Sequence, residues 1–144
     1  GFDWLRTCPL FYKVPETDFI VVHAGIEPCK KSLPTESWES APKKDKSLFF
    51  TRWISEATGR FLTLGTEDEK VDKWWASVYD GRFGTAIYGH QAFREVKVHE
   101  HAIGIDTGCC YGNKLTAIRL PDLKLIQVQA EKAYCEPFSS EGLK

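Results

Sequence analysis

Apolar residues fall in short runs along the chain, and the spacing inside each run predicts an element. Phe19, Ile20, Val21 and Val22 form a continuous, partly β-branched run between Asp18 and the pair Ala24-Gly25, which predicts a buried strand with His23 at its C-terminal end. A second run, Thr85 to Tyr88, ends the same way, in Gly89-His90. Between them, residues 29–46 are rich in Lys, Ser, Pro and Glu without periodicity and predict a long surface loop. The i,i+4 pairs Phe49/Trp53, Phe50/Ile54 and Trp53/Ala57 predict a short helix over 47–58. Over 66–79 the spacing of Val71, Trp74, Trp75 and Val78 predicts an amphipathic helix. Thr66 and Glu69 would form its capping box, and Asp80-Gly81 would stop it. Three further strand-like runs, 102–105, 114–120 and 123–129, are separated by the turn 108–113 and by Pro121-Asp122, and predict an antiparallel meander.

Composition narrows the classes. With 144 residues, 42% hydrophobic and 13% aromatic, the chain has the material for one folded domain, assigned to residues 1–135 with a tail at 136–144. Nineteen basic and twenty acidic residues give a net charge of -1, so no global field attracts a nucleic acid duplex or an anionic membrane. No apolar stretch reaches the length of a membrane span, and a cytoplasmic location is the expectation. Five cysteines without a C-x-x-C argue against a disulfide framework or a zinc knuckle, and predict reduced, mostly buried thiols.

The candidate chemistry lies in the twin strand-histidine-turn pattern. Ligands collect at the carboxyl ends of strands, where His23 and His90 would stand, and neutral imidazole is the commonest metal-ligating side chain. The small residues beside each histidine would leave the backbone open to a ligand. From spacing alone a strand-end histidine is more often a hydrogen-bonded structural residue, and the matched pair strengthens the metal reading without deciding it. His99 and His101 alternate on a strand whose neighbours Lys97 and Glu100 suggest a solvated edge, and they stay unassigned.

Three ordered motifs carry a resemblance. Val22-His23-Ala24-Gly25-Ile26 with Pro28, then Tyr88-Gly89-His90, then the stretch 104–112 (GIDTGCCYG) followed by Lys114-Leu-Thr-Ala117 resemble the later motifs of the calcineurin-like metallophosphoesterases. They are most similar to the branch of symmetrical diadenosine tetraphosphatases and phosphoprotein phosphatases, over roughly Leu5 to Ala130. The resemblance implies an α/β fold, a four-layer α-β-β-α sandwich of which this chain is the C-terminal half, ending in an antiparallel meander. It implies two divalent ions (manganese, iron or zinc), one of them held by His23 and His90, and a substrate phosphate contacted by Arg52. The planar donor fork of Arg52 suits phosphate oxygens, although the residues by themselves equally describe an arginine lying over its aromatic neighbours. Asp106 is a candidate to support the histidines or to ligate a metal as a carboxylate, although its turn looks structural in the family, and Asn113 is a turn residue.

The departures bound the function. The family motifs G-D-x-H-G, G-D-x-x-x-D-R-G and G-N-H-E, which supply the bridging carboxylate, the second ion's ligands and the acid histidine, are absent from the 144 residues. No catalytic residue is therefore assigned, the partner implied is the missing N-terminal half of the same domain, and the chain alone is expected to be inactive. Three readings stand open. One is a metal-dependent phosphohydrolase in full-length form, acting on a dinucleoside polyphosphate, polyphosphate or phosphoprotein. The others are a catalytically dead binding module and a structural partner domain with core histidines.

Overall fold

The computed structural model describes residues 2–34, 39, 41 and 45–136. The central element is a five-stranded sheet of order β1-β2-β5-β7-β6. Its strands are β1 (Phe11–Lys13), β2 (Phe19–Val22), β5 (Thr85–Tyr88), β6 (Lys97–His99) and β7 (Ala102–Gly104). β2, β5 and β7 run parallel, and the antiparallel strands β1 and β6 close the two edges. β2 and β5 occupy the stretches the sequence predicts; β5 is buried on both faces, as a continuous apolar run implies, whereas β2 buries Ile20 and Val22 and leaves Val21 exposed. Ile20, Val22, Ala86, Tyr88 and Ala102 form the sheet's part of the core. Gly104 lies opposite Tyr88 in the β5–β7 register, where an added Cβ would come within 2.7 Å of the tyrosine ring.

Of the two predicted helices, the one over 47–58 is absent and the one over 66–79 is cut to a single turn. Residues 47–58 instead contain the end of a 3-10 helix (Asp45–Phe49), the short strand β3 (Trp53–Ile54) and a turn. Thr51 closes the 3-10 turn through its own side chain, donating to the Ser47 carbonyl at 2.8 Å. The aromatic spacing reflects strand pairing, since Trp53 stands opposite Trp74 of β4 (Lys73–Trp74) with their rings edge-on at 5.8 Å. Residues 66–72 form turns, and only Trp75–Val78 is helical (α2). The Thr66 hydroxyl turns back to the Thr63 carbonyl at 2.7 Å rather than capping a helix. The two tryptophans that gave 66–79 its helical spacing serve different elements: Trp74 enters the β3–β4 ladder and Trp75 is fully buried in the core. Tertiary pairing overrides helical spacing here.

The meander is also redistributed. Lys114–Arg119 (β8) and Lys124–Gln129 (β9) form the antiparallel hairpin, while 102–104 joins the main sheet as β7. The hairpin is a separate two-stranded sheet, and Leu115, Ile126 and Val128 are exposed along it. A six-residue helix, α1 (Phe2–Thr7), precedes the sheet with Phe2 and Trp4 exposed. Asp80-Gly81 follows α2 as expected, and hydrogen bonds from Arg82 hold the Asp80 carboxyl down to about 2. Within the predicted loop, residues 29–34 form no helix or strand, as expected, and 45–46 enter the 3-10 helix; residues 35–38, 40 and 42–44, and the tail at 137–144, lie outside the described residues. No described helix is long and apolar enough to cross a membrane. The cysteines are free, but none is buried: Cys8 and Cys109 are half-buried, and Cys29, Cys110 and Cys135 are exposed.

Candidate functional site

Adjacent parallel strands bring both histidines to one end of the sheet. β2 and β5 pair in register from Phe19 opposite Thr85 to Val21 opposite Ile87, and the pairing continues past the strands, where the Gly89 amide donates to the His23 carbonyl at 3.0 Å. The side chains meet directly, with His23 Nε2 3.1 Å from His90 Nδ1. His90 holds a backbone φ of 70°, a left-handed conformation that costs a non-glycine residue of order 1 kcal/mol and recurs at functional sites.

The turn after His23 is fixed from the other side of the chain. The Leu48 carbonyl accepts from both Ala24 (2.9 Å) and Gly25 (3.3 Å). That contact brings the next residue, Phe49, flat against the His23 ring, with centroids 5.4 Å apart and planes at 25°. Sequence reasoning did not place Phe49 in the site; its only signal was an apparent helical pairing with Trp53.

Gly25 has a different reason from the one expected. An added Cβ would lie 2.6 Å from the indole of Trp75, so Gly25 is small because a fully buried ring packs on it, not to admit a ligand. Gly25→Ala is expected to cost about 1–3 kcal/mol, the usual range for overpacking a core, read as a lower urea midpoint. Beside the second histidine the expectation fares better. A Cβ on Gly89 would meet nothing closer than Asp106 Cβ at 3.5 Å, and Gly89 faces a cleft of about 600 Å³ lined also by His23, His90, Phe49, Asp106 and Cys109.

Partial desolvation shifts the pair, although His23 is exposed and His90 only half-buried. Desolvation, followed by the nearby Arg52 and His23, lowers the His90 pKa to about 4. His23 is also lowered, chiefly by burial, against an opposing pull from Asp106. Both imidazoles are therefore neutral at pH 7 and have lone pairs to offer. Arg52 immediately precedes β3, and its carbonyl accepts from Trp75 at 2.9 Å. Its guanidinium lies near enough to both histidines to lower their pKa values. The Arg52 Nε is buried with no hydrogen-bond partner among the described residues, a donor left for something else to satisfy. Glu67 and Tyr111 act on its charge.

Asp106 follows β7 and lines the cleft, yet its Oδ1 accepts from the Gly108 amide at 3.1 Å, so part of its role is to shape the turn. Asn113 is a turn residue, its side-chain amide donating to the Arg94 carbonyl at 2.8 Å. His99 lies at the sheet edge, and His101 packs against Gly81.

At 3.1 Å the two imidazole nitrogens are within hydrogen-bond distance of each other, and the same spacing is compatible with two ligands of one cation. Two nitrogens each ~2.1 Å from one cation, at angles between octahedral and tetrahedral, lie roughly 3.0–3.4 Å apart, and this pair is 3.1 Å apart. Among the described residues, no group of three or more His, Cys, Asp or Glu could hold a metal ion.

No protein-family model matches the chain. It is 33% identical over 133 residues to the bis(5'-nucleosyl)-tetraphosphatase PrpE (asymmetrical) of Oceanobacillus iheyensis, across 92% of this chain and 46% of that protein. The same-named protein of Bacillus subtilis is 29% identical over 131 residues, covering 91% and 48%. A solved structure assigned to a diadenosine tetraphosphatase superposes with a TM-score of 0.66 at 27% identity, covering 89% of this chain and 54% of that one. The chain spans about half the length of the curated relatives it matches. Those relatives have the asymmetrical designation, whereas the motifs pointed to symmetrical enzymes.

Proposed function

We propose, from the chain's place in the diadenosine tetraphosphatase-like branch of the calcineurin-like metallophosphoesterases, that a protein of the relatives' full length built on this segment hydrolyses dinucleoside tetraphosphates. The observation that carries the reading is the meeting of His23 Nε2 and His90 Nδ1 at 3.1 Å beside the unpartnered Nε of Arg52. His23 and His90 would hold one divalent ion, with manganese, iron and zinc all compatible with a mixed imidazole and carboxylate shell. When bound, a pair of such ions supplies a hydroxide nucleophile at neutral pH and neutralises phosphate charge. Arg52 binds and orients a phosphate, because a guanidinium half out of water gives stronger hydrogen bonds to an anion than one in bulk solvent. Phe49 stacks on the His23 ring and favours one orientation of it.

The carboxylates needed to bring two ions together are proposed to come from the other half of the domain. That half would also cover Leu115, Ile126 and Val128 of the hairpin. The experiment follows the products. A protein of the relatives' length, given diadenosine tetraphosphate and manganese, is expected to release ATP and AMP in equal amounts. Two ADP per substrate would instead indicate symmetrical cleavage, and no hydrolysis would refute the reading.

The purified 144-residue chain is expected to give no turnover under the same conditions, since no described cluster holds even three ligands. Measurable phosphatase activity of that chain would show that it binds its ions without the other half. The binding-module reading survives only if the full-length protein binds substrate and leaves it intact.

A further inference from the structure

Cys110 and Cys135 stand together although 25 residues separate them. The Cys110 carbonyl accepts from the amides of Tyr134 (2.8 Å) and Cys135 (3.2 Å), and the neighbouring residues Tyr111 and Ala133 form an antiparallel bridge. Gly112, with φ of 87°, lets the turn press on Ala133, where a Cβ would come within 3.1 Å of the backbone. The Cys135 Sγ reaches the Cys110 carbonyl at 3.7 Å, and desolvation, followed by the neighbouring Cys110 side chain, pushes the Cys135 thiol up. Main-chain pairing therefore holds two exposed thiols side by side. Cys109, by contrast, lines the cleft.

We propose that Cys110 and Cys135 are a redox couple, which hydrogen peroxide converts to an intramolecular disulfide tying the cleft-side turn 108–113 to the segment 130–135. One thiolate attacks a peroxide oxygen and becomes a sulfenic acid as the first water leaves. The second thiol displaces its hydroxyl as a second water, so the sulfurs lose two electrons in total and the peroxide gains them. A small-molecule dithiol reverses the step.

The test uses the purified 144-residue chain treated with hydrogen peroxide and analysed by intact mass and peptide mapping without reductant. The expected result is a monomer lighter by two hydrogens, with Cys110 and Cys135 linked. A rise in melting temperature of roughly 10 °C, as closing a loop of this length implies, should be reversed by dithiothreitol. Cys135→Ser and Cys135→Ala, at an exposed position, should each abolish the link and the shift, as should Cys110→Ser; Cys109→Ser should preserve both. Oxygen adducts without a link, a link through Cys109, or dimers in place of the internal bridge would each overturn the proposal.

Discussion

In a protein of the relatives' length, His90→Asn is expected to lower kcat/KM for diadenosine tetraphosphate by about 10³-fold, with bound metal falling in parallel and the far-ultraviolet spectrum unchanged. A metal's charge stabilisation is worth several kcal/mol, and each 1.4 kcal/mol is tenfold in rate. Asn is the informative replacement because it tolerates the left-handed backbone at this position, φ of 70°, so the loss reports the imidazole rather than the turn. His23→Ala should cause a loss of similar size. The two nitrogens lie 3.1 Å apart and are proposed to serve one ion, so the double variant should be little worse than either single one. Multiplying losses would indicate separate roles, and variants that keep both their metal and their turnover would remove the histidines from the site.

The site was legible in the sequence where local pattern and position coincide. Two apolar runs ending in small residues and histidine predicted two strands and their ends, and parallel neighbours must bring those ends together. Arg52 was legible only through the resemblance. On its own residues it reads as an arginine lying over aromatics, and what singles it out is an orphaned Nε that no spacing reveals. Phe49 was missed because its position depends on the Leu48 carbonyl reaching Ala24 and Gly25, a contact across more than twenty residues. The helix over 66–79 failed for a related reason: its period came from adjacent tryptophans that face different partners, one in a ladder and one in the core. Side-chain spacing reports a shared face only when one element uses all the side chains.

Trp75→Ala is expected to cost about 3–5 kcal/mol, the range for removing a large buried aromatic, against a total stability of about 5–15 kcal/mol for a domain of this kind. The ring is fully buried, packs edge-on to Tyr88 at 4.8 Å and tilted against Tyr79 at 5.8 Å, and supports Gly25 in the turn that follows His23. Its Nε1 has no hydrogen-bond partner among the described residues. Trp75→Phe, which removes that donor and keeps a ring, should therefore cost clearly less than Trp75→Ala. Urea midpoints of the purified chain check both. A double-mutant cycle with Gly25→Ala goes further. The added methyl collides with the indole in the parent and has room once the indole is gone, so Gly25→Ala should be far less harmful in the Trp75→Ala background. Additive costs would mean that the ring does not determine the size of residue 25. In that case the glycine beside His23 would need another explanation, such as the approach of a ligand to the backbone.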